Sequence, residues 1–157
     1  MIKIKRKSLI ILVFSVILAS CSQPSIFSEY KSVDVKGWDK DSSCVFDVSI
    51  ENATTVYDVF INVRNVGEYP HQNLWLFIQK TAPDSTISND TINFFLADNR
   101  GKWLGSGIGS VFEMPVLYQQ KLKFDSPGKY EYKIFQGMRD SMLIGISDIG
   151  LRIEKTE

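Results

Sequence analysis

Histidine and cysteine are nearly missing from this 157-residue chain, which has one of the first, His71, and two of the second, Cys21 and Cys44. One histidine and a cysteine or two cannot build a usual zinc site. A Ser-His-Asp triad would have to pass through His71, in the turn Glu68-Tyr69-Pro70-His71-Gln72-Asn73. With one histidine and many serines an accidental match is easy to draw, and His71 reads as a surface turn residue. Calcium finds no loop of spaced Asp and Asn around a glycine turn. No cofactor is called for. Long apolar runs are scarce too: the uncharged stretch Ser8–Ser20 has 13 residues, against roughly twenty for a helix that spans a bilayer. Beyond it no sustained helical stripe, internal repeat or linker for a second domain appears.

Acid is absent before Glu29, whereas Lys3, Lys5, Arg6 and Lys7 crowd the start. The formal charge of zero therefore averages two unlike parts. The 137 residues after position 20 carry 14 basic and 18 acidic side chains, a net charge of −4. Such a module has room for one core and no electrostatic reason to bind nucleic acid. The basic stretch, the short apolar run and Leu18-Ala19-Ser20-Cys21 together look like a bacterial lipoprotein signal. Small side chains precede the cut, and the Cys21 thiol is the acyl acceptor. We therefore expect residues 1–20 to be a signal peptide, 21–30 a lipidated tether and 31–157 the folded domain. With Cys21 acylated, Cys44 has no disulfide partner and reads as a small buried hydrophobe. No aspartate follows Cys21 and no acid-rich run follows it, so the expected address is the outer membrane, facing the periplasm.

Period-two alternation dominates the rest. Tyr57, Val59, Ile61 and Val63 alternate with Asp58, Asn62 and Arg64, with Phe60 the exception, and Ile149, Leu151 and Ile153 alternate with Gly150, Arg152 and Glu154. Gly67 with Pro70, Pro83-Asp84-Ser85, Asn99-Arg100-Gly101 and Ser126-Pro127-Gly128 mark turns. About eight strands are expected, near 30–36, 44–51, 56–66, 74–81, 91–97, 111–124, 129–136 and 149–154, the sixth broken or bulged at Pro115. Met138–Leu143 has room for one helical turn at most. The fold class is all-β, a single antiparallel β-sandwich whose order, immunoglobulin-like or jelly-roll, stays open.

Gly105-Ser106-Gly107-Ile108-Gly109 is followed by a strand-like run rather than a helix. It reads as a loop or tight sheet packing, not a phosphate cradle. Leu74-Trp75-Leu76-Phe77-Ile78 is apolar on both faces, so it reads as a central strand with Trp75 in the core. Trp103 reads as core-edge packing, with a sugar-stacking or protein contact as the alternative. Arg139 reads as a loop cation and Arg152 as half of a strand-edge pair. As exposed aromatics and arginine at one loop end, Tyr69, Trp103 and Arg139 are the candidate partner contacts.

Three stretches, Tyr69–Phe77, Leu96–Gly109 and Met138–Lys155, together resemble the GldH family of gliding-motility lipoproteins of Bacteroidota. The resemblance runs over nearly the whole chain and rests on order and spacing rather than on one motif. It implies a non-enzymatic envelope lipoprotein, membrane-bound through its lipid, with partners in the gliding or secretion machinery. Asp84-Ser85-Thr86, Asp90-Thr91-Ile92 and Asp140-Ser141-Met142 resemble the short periplasmic O-glycosylation sites of that phylum, with Ser85, Thr91 and Ser141 as the acceptors the resemblance implies. A carbohydrate-binding module on a lipid anchor is the alternative function.

Overall fold

The computed structural model describes residues 25–156. The signal segment and Cys21 lie outside them. Among the described residues there is no helix, and eleven strands form two main sheets and a small one. The larger sheet runs β1 (Phe27–Ser32), β11 (Ile146–Lys155), β4 (Tyr57–Val66), β8 (Val111–Leu122), β7 (Ser106–Ile108). The second runs β3 (Cys44–Ile50), β9 (Gly128–Gln136), β5 (Asn73–Thr81), β6 (Ile87–Phe95). Every pairing is antiparallel. A two-residue ladder of β2 (Trp38–Asp39) with β10 (Met142–Leu143) closes one end.

Alternation does the sorting. Val59, Ile61 and Val63 of β4 meet Leu74, Leu76 and Ile78 of β5 in one core, all fully buried or nearly so. Cys44 belongs to that core as expected, and burial pushes its thiol up to about 11. Truncating Ile61 or Leu76 to alanine would cost about 2–5 kcal/mol, because the lost transfer energy and the cavity add.

The sandwich has a polarity. The chain enters beside Ile26, whose N–H donates to the Ile153 carbonyl at 2.8 Å. The loops 51–56, 82–86 and 123–127 share that entry end, since Tyr57 pairs with Lys155 and Leu122, Ile50 with Gly128, and Thr81 with Ile87. The loops 33–37, 67–72, 96–105 and 137–141 gather at the opposite, distal end.

The strand expectations need correcting in places. β1 starts at Phe27, within the stretch read as tether. It stops at Ser32 because Asp34 turns the chain, accepting from the Lys36 N–H at 2.9 Å. Pro115 neither breaks nor bulges β8; it pairs with Asn62. It is tolerated because β7 pairs β8 only as far as Glu113, which leaves that edge open beside the proline. The irregularity falls instead between Leu117 and Leu122, where Lys121 has φ 54° and its N–H donates to Asp58 at 2.7 Å. The glycine run is a hairpin arm: a Cβ on Gly107 would lie 1.9 Å from the Val111 carbonyl oxygen, so only glycine lets β7 pair with β8. Met142 and Leu143 form a strand, not a helical turn.

Candidate functional site

Four aromatics line the distal half of the outer face of the β3-β9-β5-β6 sheet. Trp75 and Phe77 project outward from β5, opposite the buried Leu74, Leu76 and Ile78. Phe135 of β9 is the cross-strand neighbour of Phe77, and Phe95 of β6 that of Asn73. Trp75 is therefore not core as its sequence context suggests. It is 41% exposed, with Phe77 at 48% and Phe95 at 57%. The strand is central, but no second layer covers its outer side.

Beside Trp75 opens a cavity of about 460 Å³, lined by His71, Asn73, Trp75 and the loop Gly137–Asp140. That loop is pinned to β5: the Gly137 N–H donates to the Trp75 carbonyl at 2.7 Å, and the Trp75 N–H to the Met138 sulfur at 3.4 Å. Gln136, 2% exposed, braces it from beneath. Its Oε1 accepts from the Met138 N–H at 2.8 Å, and its Nε2 donates to the Asp140 carbonyl at 2.7 Å. Nothing in the sequence singles out this glutamine. At the rim, His71 Nε2 lies 2.8 Å from Asp140 Oδ2, so His71 is the surface turn residue expected, with a carboxylate as its hydrogen-bond partner.

The expected contact trio is split. Tyr69 is only 4% exposed, so it is not a surface contact. Its hydroxyl donates to the Asn73 carbonyl at 2.8 Å, and burial holds the phenol well above its ordinary value. It acts as a hub, its ring 5.6 Å from that of His71 and 6.3 Å from that of Trp103. Trp103 is half-buried at the core edge, 5.8 Å from the Phe112 ring, beside the exposed Leu104. Arg139 is exposed on the cavity loop. Ser85, Thr91 and Ser141 are all exposed; Ser85 sits in the β5–β6 turn at φ 68°, and Ser141 beside β10. Thr91 lies mid-strand in β6, opposite Phe77, not at a loop.

The outer face of the other sheet carries a network that sequence reading missed. Arg64 Nε donates to Glu113 at 2.7 Å, and its guanidinium lies 3.9 Å over the Tyr30 ring. The Tyr30 hydroxyl donates to the same carboxylate at 2.8 Å and accepts from Asn62 at 2.8 Å. Burial raises the Glu113 carboxyl's pKa, but the Arg64 and Tyr30 bonds outweigh it and hold the group below its ordinary 4.5. Arg152 pairs with Glu154 and stacks 4.2 Å over Phe60, on an inner strand rather than an edge. Among the described residues no group of three His, Cys, Asp or Glu side chains is placed to hold a metal, and no helix is long and apolar enough to cross a membrane.

All three stretches that carry the family resemblance contribute to the distal end. In its fold the chain resembles part of a family GH115 4-O-methyl-alpha-glucuronidase, with TM-score 0.48 and 8% identity over 88% of this chain and 18% of that one. The sequence is 37% identical to a gliding motility lipoprotein GldH homolog of Christiangramia forsetii, covering 96% of both chains. It is 34% identical to the gliding motility lipoprotein GldH of Flavobacterium johnsoniae, over 97% of this chain and 98% of that one. The pattern of the GldH lipoprotein family matches residues 25–153. With that pattern covering the folded domain and relatives aligned end to end, the chain belongs to the GldH lipoprotein family.

Proposed function

We propose that the protein is a non-catalytic, lipid-anchored adaptor of the gliding-motility and associated secretion machinery, held at the outer membrane and facing the periplasm. The observation that carries this reading is the polarity of the sandwich: the chain enters at Ile26, and each of the three family-like stretches contributes a loop to the opposite end. Acyl chains on Cys21 would contribute about 0.8 kcal/mol per buried methylene. Confinement to one membrane face would raise the local concentration of partners. The distal hairpin supplies a contact surface of its own, with Trp103 at the core edge, Leu104 exposed and Ile108 97% exposed near the β7–β8 turn. Ile108, on a short, glycine-locked ladder, can dock without first being ordered.

Two measurements test this. Replacement of Cys21 by alanine abolishes fatty-acid labelling and membrane retention; a variant that stays labelled removes the anchor from the reading. Pull-down from solubilised envelope recovers a defined set of motility or secretion proteins, lost in Trp103→Ala/Ile108→Ser. An unchanged set overturns the hairpin, and an empty one overturns the adaptor. Exposure of Ser85, Thr91 and Ser141 supports O-glycan attachment, and the intact mass of the exported chain reads it directly.

A further inference from the structure

The cavity beside Trp75 combines three features that a plain apolar patch lacks. It is lined by the exposed Trp75 side chain, whose backbone N–H and carbonyl are both held by the adjoining loop, through the Met138 and Gly137 bonds. Its wall is a loop braced from within by a buried glutamine with both amide atoms engaged. Its rim is polar, because four of the seven lining residues are His71, Asn73, Arg139 and Asp140. Those groups keep hydrogen-bonding capacity in hand. Asp140 uses Oδ2 on His71, and Asn73 uses Nδ2 on Asn93 at 2.8 Å, leaving one oxygen of each for a ligand. Arg139 forms no ion pair among the described residues.

A pyranose ring has the matching chemistry. Its axial C–H bonds present an apolar face that lies on an indole, and its equatorial hydroxyls form a rim that both donates and accepts. Preorganised planar groups bind such hydroxyls with little ordering cost. An apolar peptide would leave the His71–Asp140 pair and Arg139 facing nothing. A phosphate would meet the Asp140 carboxylate. The cavity is open on one side, so a ring can belong to a longer chain. We infer that this cavity is a saccharide subsite, holding one neutral pyranose unit of a glycan against the exposed face of Trp75. The inference stands apart from the adaptor reading, since the hairpin of Trp103 and Ile108 takes no part in it.

The full acylated chain, purified in a sugar-free detergent, is applied to an array of oligosaccharides built from hexose, N-acetylhexosamine or hexuronic acid units. Retention on a neutral class is expected. Trp75→Ala should weaken it about tenfold or more, as loss of a central aromatic anchor does. Asp140→Asn should weaken it less, since an amide keeps one acceptor. Phe95→Ala, on the same face but outside the cavity, and Trp103→Ala should leave it unchanged. No retention on any glycan, retention that survives Trp75→Ala, or equal loss in Phe95→Ala each overturns the proposal. Capture of apolar peptides with no glycan bound does so as well, assigning the face to a protein. Pull-down by the same variants keeps the two readings separable: Trp75→Ala retains the envelope partners, and Trp103→Ala/Ile108→Ser retains the glycan.

Discussion

The two outer faces of this sandwich are built from the same alternation and end up chemically opposite. On the β1-β11-β4-β8-β7 sheet, away from the exposed Ile108 and Val111 of the β7–β8 hairpin, the outward polar groups are spent on one another. Tyr30 lies across Gly150, Arg64 stacks on Tyr30, Glu113 accepts from both, and Arg152 covers Phe60 while pairing with Glu154. On the β3-β9-β5-β6 sheet the entry half is conventional, with Lys133 and Glu131 paired at 3.0 Å. Its distal half leaves Trp75, Phe77 and Phe95 exposed beside a cavity. A face whose polar arms are engaged by its own neighbours has little left for a ligand. A contiguous exposed aromatic patch points to an interaction site. Substitutions in the Tyr30–Arg64–Glu113 cluster should therefore register as stability, and those on the distal aromatic patch as binding.

Among the outer-face positions the largest effect is expected at Gly150. A Cβ there would lie 2.7 Å from the Tyr30 ring, so Gly150→Ala must lift the tyrosine from the sheet. The Arg64 stack and the bonds to Glu113 and Asn62 go with it. The expected loss is about 2 kcal/mol, from strain and broken hydrogen bonds together. It reads as a lower urea midpoint with unchanged m. Next comes Tyr30→Phe, which keeps the ring and removes only the hydroxyl. Asn62 is 3% exposed and its Oδ1 has no partner among the described residues, so its amide would lose the contact it has. About 1 kcal/mol is expected. A Tyr30→Phe as costly as Gly150→Ala would place the weight of that face on one hydroxyl and not on the stack.

Which residues could be sorted from sequence alone follows from what periodicity measures. The run Tyr57–Val66 reveals its inward side because period two is a property of the extended backbone. The same rule misleads at Leu74–Ile78: apolar side chains on both faces read as burial on both, yet periodicity cannot say whether a second layer exists. Tyr69 reads as exposed because it precedes Pro70 in a polar turn, but its ring folds back to reach the Asn73 carbonyl. Arg64 and Glu113 are cross-strand partners 49 residues apart, visible only once β4 and β8 are in register. Gln136 is a lone glutamine ending a strand, and its task exists only where the loop returns over it.

A smaller effect tests the first face by pH. The Glu113 carboxyl is held below its ordinary 4.5 in the fold. Its ionisation therefore supports the folded state fully above 4.5, and that support fades as pH falls through the lower folded value. Unfolding free energy should decline as pH drops below 4.5, and Glu113→Gln should flatten that part of the decline. At neutral pH the same variant should cost about 0.5–1 kcal/mol, because the pair with Arg64 is more than a third exposed and solvent-screened. An unchanged pH slope in Glu113→Gln would assign the acid sensitivity to other carboxylates.

The smallest stability effect, and the sharpest break between the faces, is expected at Phe77→Thr. The side chain is 48% exposed, sits mid-strand opposite Thr91, and has no polar partner to orphan. Threonine is β-branched and suits an extended backbone, so strand propensity is kept while the apolar surface is removed. The change in unfolding free energy should stay within about 0.5 kcal/mol of zero, as for surface sites away from special features. The fall in exposed aromatic area should show as weaker retention on a hydrophobic matrix. If Phe77→Thr instead costs as much as Gly150→Ala, the aromatics hold their own sheet together, and the contrast between the two faces fails. If stability holds while retention falls, the distal aromatics are surplus to folding, as a surface kept for a ligand should be.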